Sequence, residues 1–197
     1  MRDALRRGAV VVAIVTGSVL PAPAAMAAPA SAAAAALPPI ETWLADVTAV
    51  TDQADAYLDG RLPDSRVKAA IVLDIDNTAL ESAYEGEVWP PATPSVLALA
   101  QQAQTLGAAV FFVTNRPDIL APWTASNLSA AGYTWVKLYQ RPTFSLDSAQ
   151  TVKTNFRIKI ESAGYTIVAN VGNNDSDLAG GHAERTFKLP DYDGQLD

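Results

Sequence analysis

Short apolar runs alternate along this chain with stretches in which apolar side chains recur every three or four residues. Ala69-Ala70-Ile71-Val72-Leu73 and Ala109-Val110-Phe111-Phe112-Val113 are unbroken apolar runs, the pattern of strands buried on both faces. Further strands are predicted at 134–139, Tyr165–Val171 and Arg185–Leu189. Ile40, Trp43, Leu44, Val47, Val50, Ala54, Tyr57 and Leu58 follow helical spacing, with Asp46, Asp52 and Asp55 among them. That spacing predicts an amphipathic first helix, ended by Gly60 and Pro63. Other helices are predicted over 94–106, Pro117–Ala131 and Ser148–Ser162, stopped by Gly107, Gly132 and Gly164, with a helical turn near Ser176–Ala179. Buried strands alternating with helices predict an α/β fold, a mostly parallel sheet with helices on both faces. Such sheets bind ligands at the carboxyl ends of their strands. The polar residues that follow each strand therefore carry the functional reading.

The first residues read as an address. Arg2, Arg6 and Arg7 precede 12 mostly apolar residues, Ala9 to Leu20, and Ala25-Met26-Ala27 has the small-x-small form of a cleavage site. This order describes a secretory signal over residues 1–27. A membrane span needs roughly 18–20 apolar residues, so no stable anchor is expected once the signal is removed. Of the 19 residues from 21 to 39, 16 are Ala or Pro. The part beyond the signal, 28–39, reads as an Ala/Pro-rich linker with nothing to pack, and the folded domain is expected over 40–197.

Composition narrows the chemistry. Cysteine is absent and His182 is the one histidine, which excludes thiol nucleophiles, cysteine-ligated zinc, multi-histidine metal centres and the two-histidine phosphatases. With no second histidine, His182 is expected to be hydrogen-bonded in a structural role. The 14 basic and 21 acidic residues give a formal charge of −7. Removing residues 1–27 takes away three arginines and one aspartate, leaving 11 basic against 20 acidic side chains, or −9. No basic stripe appears, which argues against a nucleic-acid polymer as partner.

Four polar clusters sit at or near predicted strand ends. Leu73 is followed by Asp74-Ile75-Asp76-Asn77-Thr78, and Val113 by Thr114-Asn115-Arg116; the helix at 148–162 carries Lys153 and Arg157; Val171 is followed by Gly172-Asn173-Asn174-Asp175-Ser176-Asp177. Two carboxylates two residues apart at a strand end, Asp74 and Asp76, can share a hard divalent cation such as magnesium. Phosphoryl transfer through a covalent intermediate asks for one carboxylate as nucleophile and a second group to manage protons. A Thr114 hydroxyl with adjacent amides suits a phosphoryl oxygen, and Lys153 would offset charge in the transition state. Arg157, four residues on, shares a helical face with Lys153. Asn115 and Arg116 are candidate substrate-binding residues, and Tyr84, Trp89 and Trp123 candidate walls of the pocket.

Taken in this order, the clusters resemble the four motifs of the haloacid dehalogenase (HAD) superfamily of phosphohydrolases. Within it the chain is similar to the exported class III acid phosphatases, which include bacterial lipoprotein and plant enzymes. The resemblance implies a Rossmann-like fold and hydrolysis of small phosphate monoesters with one Mg²⁺ per site. It implies Asp74 as the nucleophile that forms an aspartyl-phosphate, and Asp76 as the acid that protonates the leaving oxygen and then activates water. Thr114 and Lys153 complete the catalytic set, and Asp74, Asp76, Asn173 and Asp177 form the metal set. An acid at position 76 favours phosphate esters over halides, whose departure needs no proton. The storage relatives in this group lose the nucleophile; this chain keeps Asp74. One departure stands out: the family has Gly-Asp-x-x-x-Asp where this chain has Asn173. Residues 79–108 and 140–164 leave room for only a minimal cap, so the site is expected to be open and broad in substrate. A 5′-nucleotidase or phosphotransferase using the same Asp74, or a non-catalytic secreted storage protein of the same fold, are the alternatives.

Overall fold

The structure is a computed structural model that describes residues 36–62, 66–86 and 88–196. The predicted signal, most of the linker and Pro63 lie outside the described residues. Five strands form one sheet: β1 (Ala69–Leu73), β2 (Ala109–Pro117), β3 (Lys137–Arg141), β4 (Thr166–Gly172) and β5 (Arg185–Lys188). Their order is β3-β2-β1-β4-β5, and every pairing is parallel. The chain builds outward from β1 on one side through β2 and β3, then crosses to β4 on the other. The crevice of such a sheet lies where that order reverses, at the carboxyl ends of β1 and β4. Asp74 and Asn173 each directly follow one of these strands.

The apolar runs are unbroken because alternate residues serve two cores. Ile71, Leu73, Val110 and Phe112 face one core, which packs against α1 (Ile40–Arg61) and α3 (Pro94–Thr105). Ala70, Val72, Phe111 and Val113 face the other, completed by Val152, Phe156 and Ile160 of α5 (Ala149–Ser162). Leu37 packs against the first core ahead of the helix at Ile40, so the folded part reaches into the segment expected as linker. Three short elements complete the fold: α2 (Ser82–Glu85), α4 (Ala121–Ala130) and α6 (Asp175–Leu178).

Most expected elements lie within a residue or two of their predicted bounds. Helix α1 runs through Gly60 to Arg61. The span 117–131 divides into a 3-10 turn, Asp118–Leu120, and α4. The third strand starts at Lys137 rather than 134. Residues 133–135 are drawn instead to the α1/α3 face: Tyr133 is buried and donates its hydroxyl to the Ala79 carbonyl at 2.9 Å, and Trp135 packs edge-on against Phe112 at 5.9 Å. Strand β2 runs past its apolar part to Pro117, so Thr114, Asn115 and Arg116 belong to the strand itself.

Phe112 sits at the centre of this packing, fully buried and edge-to-face with Tyr133 at 5.3 Å as well as with Trp135. Phe112→Ala should lower the unfolding free energy by about 3–5 kcal/mol, read from the urea midpoint at constant slope. A loss below about 1 kcal/mol would show that the core collapses around the missing ring.

Candidate active site

Asp74, Asp76, Thr114, Asn115, Arg116, Lys153 and Asn173 line a single cavity of about 490 Å³ at the carboxyl ends of β1, β2 and β4. Arg157 and Asp177, expected beside them, do not line it.

Asp74 is buried, and its main-chain N–H donates to the Val171 carbonyl at 3.0 Å, tying the end of β1 to β4. Its Oδ1 accepts from Lys153 Nζ at 2.9 Å. No hydrogen bond among the described residues reaches Oδ2. Lys153 projects from the first turns of α5, is itself buried, and donates also to Asp177 Oδ1. The second oxygen of Asp177 accepts from the Asn174 N–H at 2.8 Å, part of a capping box at the start of α6. Gly172 makes this fold-back possible: a Cβ there would overlap the Asp177 side chain. Burial works against the Lys153 ammonium, but the charges of Asp74 and Asp177 hold it well above the ordinary lysine range. For Asp74 the balance runs the other way. Burial, then the Asp177 charge, push its carboxyl up to about 7 against the pull of Lys153.

Asp76 has a half-open side chain, 41% exposed, and a different partner. Arg116 grips it with two bonds, Nε to Oδ2 at 2.8 Å and Nη2 to Oδ1 at 2.5 Å, and Ser82 Oγ donates to Oδ1 at 2.6 Å. Burial raises the Asp76 carboxyl, but the Arg116 bonds and charge outweigh it and hold the group below its ordinary value. Arg116 is fixed in turn by Asn127 Oδ1 at 3.0 Å and by the Trp123 ring at 4.9 Å. Thr114 is buried, its hydroxyl accepting from the Arg116 N–H at 3.1 Å. Asn115 is exposed on the rim and held by Arg141 Nη1 at 3.0 Å.

Arg157 is fully buried and reaches main-chain carbonyls instead of the cavity: Gly181 at 2.9 Å, Asp177 at 2.5 Å, and Ala179. It clamps the segment that carries Asp177. Of the three candidate aromatic walls, only Trp123 lines the cavity. Tyr84 stacks on Trp43 at 4.9 Å in the core, and Trp89 is exposed away from the lining. His182 bonds Glu161 Oε2 at 2.6 Å, as a structural histidine would. Sequence reasoning did not single out Ser82, Asn77, Asn127 or the Gln195–Leu196 pair that closes one side of the cavity. Only Asn77 carries a sequence signal, standing inside the Asp-x-Asp-x-Thr run.

Among the described residues no three Asp, Glu or His side chains gather to hold a metal. The residues that line the cavity carry hard oxygen donors: the carboxylates of Asp74 and Asp76 and the amide of Asn173. A buried carboxylate whose ionisation is suppressed by a second one is short of positive charge. An oxygen set with that deficit, one carboxylate buried and one half-open, suits a magnesium-like ion.

The Asp74 shift sets a pH dependence for the metal-free protein. Well below pH 4 the carboxyl is neutral in both folded and unfolded chains. From pH 4 to about 7 the unfolded group ionises while the buried one resists, so this residue's contribution to stability is lost as pH rises through that window. Asp74→Asn removes the effect. In chelator, the stability of the Asn variant relative to the unaltered chain should climb from pH 4 to 7 and level off above, as read by urea unfolding. A gap independent of pH would show that Asp74 ionises normally.

The chain has relatives among known proteins. Over 121 residues the chain is 37% identical to the stem 28 kDa glycoprotein of Glycine max, covering 58% of this chain and 47% of that one. It is 38% identical over 103 residues to acid phosphatase 1 of Solanum lycopersicum, covering 51% and 40%, and 33% identical over 101 residues to vegetative storage protein 1 of Arabidopsis thaliana, covering 51% and 37%. The chain thus spans less than half the length of these curated relatives. Its fold is similar to that of the class C acid phosphatase from Bacillus anthracis, with a TM-score of 0.62, 18% identity, and coverage of 76% of this chain and 78% of that one. The family description "HAD superfamily, subfamily IIIB (Acid phosphatase)" matches residues 82–195, more than half of the sequence. With its parallel sheet and its polar cluster at the strand ends, the chain belongs to subfamily IIIB of the HAD superfamily.

Proposed function

We propose that the chain is an exported, magnesium-dependent phosphomonoesterase that works through an aspartyl-phosphate on Asp74. The observation that carries this reading is the division of labour at Asp74: Oδ1 is taken by the buried Lys153, while Oδ2, beside an open cavity, meets no donor among the described residues. Asp74 Oδ2 attacks the phosphorus; the new O–P bond forms as the bond to the leaving alcohol oxygen breaks. The Lys153 ammonium and the Thr114 hydroxyl steady the phosphoryl oxygens. An incoming phosphate dianion competes with Asp76 for the Arg116 guanidinium. Released from that grip, Asp76 takes up a proton and passes it to the departing oxygen. In the second half Asp76 accepts a proton from water, the resulting hydroxide attacks phosphorus, and Asp74 is freed with inorganic phosphate.

Asp74, the main-chain carbonyl of Asp76 and Asn173 would hold the cation, and Asp177 serves to hold Lys153. When bound, a divalent cation supplies the positive charge that neutralises phosphate and keeps the buried Asp74 ionised. Export rests on the basic, apolar and small-x-small order of residues 1–27. Among the described residues no helix is long and apolar enough to cross a membrane.

A storage role is the second reading, favoured by the likeness to proteins named for vegetative storage and by the amide at 173. Phosphate release from an aryl phosphate with added magnesium separates the two. The unaltered chain should release phosphate, Asp74→Asn and excess chelator should abolish release, and Lys153→Ala should lower turnover by about 10²–10³-fold. No release from the unaltered chain would favour storage. Activity surviving Asp74→Asn would remove the nucleophile. A panel with 5′-nucleotides and acceptor alcohols distinguishes hydrolysis from nucleotidase specificity and from transfer.

A further inference from the structure

Tyr192, Asp193 and Gly194 follow one another in the left-handed region, with φ of 51°, 57° and 81°. Asp visits this region more readily than most residues, but a Tyr adopts it where its surroundings impose it. Here they do. The Tyr192 hydroxyl donates to Asp46 Oδ2 on α1 at 2.8 Å, Lys188 Nζ donates to Asp191 Oδ2 at 2.6 Å, and the Leu196 N–H returns to the Asp191 carbonyl at 3.2 Å. The Leu196 side chain is 2% exposed within the main core. This tight turn brings the Leu196 main-chain carbonyl to the site. It accepts from Asn77 Nδ2 and from Asn173 Nδ2, each at 2.9 Å, and both asparagines are buried.

A carbonyl oxygen only accepts, so both amide nitrogens must face Leu196. For Asn173 this fixes which end is oxygen, and an amide oxygen has two lone pairs to offer. Its Oδ1 accepts from the Thr78 hydroxyl at 3.1 Å, and that hydroxyl in turn accepts from the Asn173 N–H at 3.1 Å. An amide ligates a cation through oxygen alone, so a flipped Asn173 would be useless as a donor. We propose that Asp191–Leu196 is a strap whose Leu196 carbonyl orients Asn173 for the divalent cation, making Leu196 a positioning residue of the site. The inference rests on the phosphatase reading above. It also gives the amide at 173 a reason. An aspartate there has no N–H to offer and would set two acceptors face to face, so an acid at 173 and a docked strap exclude each other.

Two measurements test this, neither of which needs turnover. In hydrogen exchange of the metal-free full chain, Asn173→Asp should raise exchange at 191–196 tenfold or more. In titration calorimetry with MgCl₂ alone, removal of residues 192–197 should weaken binding about 10-fold or more. The same truncation made in the Asn173→Asp chain should change it less than twofold. Unchanged exchange in Asn173→Asp, or a truncated chain that binds magnesium as the full chain does, would overturn the strap. If truncation prevents folding, the exchange result decides alone. Magnesium-dependent phosphate release by the full chain, measured on the same preparation, separates failure of the strap from failure of the phosphatase reading.

Discussion

The site is organised around a lysine ammonium buried between two carboxylates. Each of these charges, taken alone into the interior, would cost several kcal/mol; they are tolerated because Lys153 meets both Asp74 and Asp177. The height of that ammonium is set from afar. Val152, Phe156 and Ile160 seat α5 on the sheet, and the residue beside Val152 in sequence then points into the cavity. Asp177 is brought up from the other side by three local devices. Gly172 leaves room for it, the capping box at Asn174 turns it inward, and the Arg157 guanidinium ties down the carbonyls behind it. A change at any of these reaches Asp74 through Lys153 without touching it.

Two carboxylates against one ammonium leave a negative surplus, and the surplus falls on Asp74, which lies between burial and Asp177. Asp76, two residues on, escapes it because Arg116 comes from the neighbouring strand β2 to meet it. Parallel pairing of β1 with β2 puts both groups at the same end of the sheet, so two acids close in sequence acquire opposite electrostatic character. One is buried and reluctant to ionise; the other is half-open and held ionised. That difference between like residues gives the site two roles to distribute.

The sheet was legible in the sequence because strands buried on both faces leave uninterrupted apolar runs, and AAIVL and AVFFV have no helical period to confuse them. The strand-end residues Asp74, Asp76, Thr114, Arg116 and Asn173, with Lys153 from α5, line one cavity. The failures share a cause: side-chain direction depends on tertiary partners. Arg157 shares a helical face with Lys153, yet its longer, forked head finds three carbonyls of the α6 segment first. Tyr84 follows the first cluster but stacks on Trp43, 41 residues earlier in the chain. The start of β3 moved because Tyr133 and Trp135 pack into the α1/α3 core. Nothing in the local pattern of 191–196 announces that its backbone, rather than a side chain, enters the site.

The amide at 173 joins these threads. Asn173 and Asp74 line the same cavity. A carboxylate at 173 would add a third negative charge near one buried ammonium. The ionisation of Asp74 would then be suppressed further whenever no cation is present. An amide avoids that charge and supplies a donor as well, which the Leu196 carbonyl takes up. On the proposed reading, position 173 therefore trades strength of attraction for a cation against two gains, a less strained resting charge balance and a closed wall. Both gains come from replacing one carboxylate oxygen with an N–H, at the point where β4 ends.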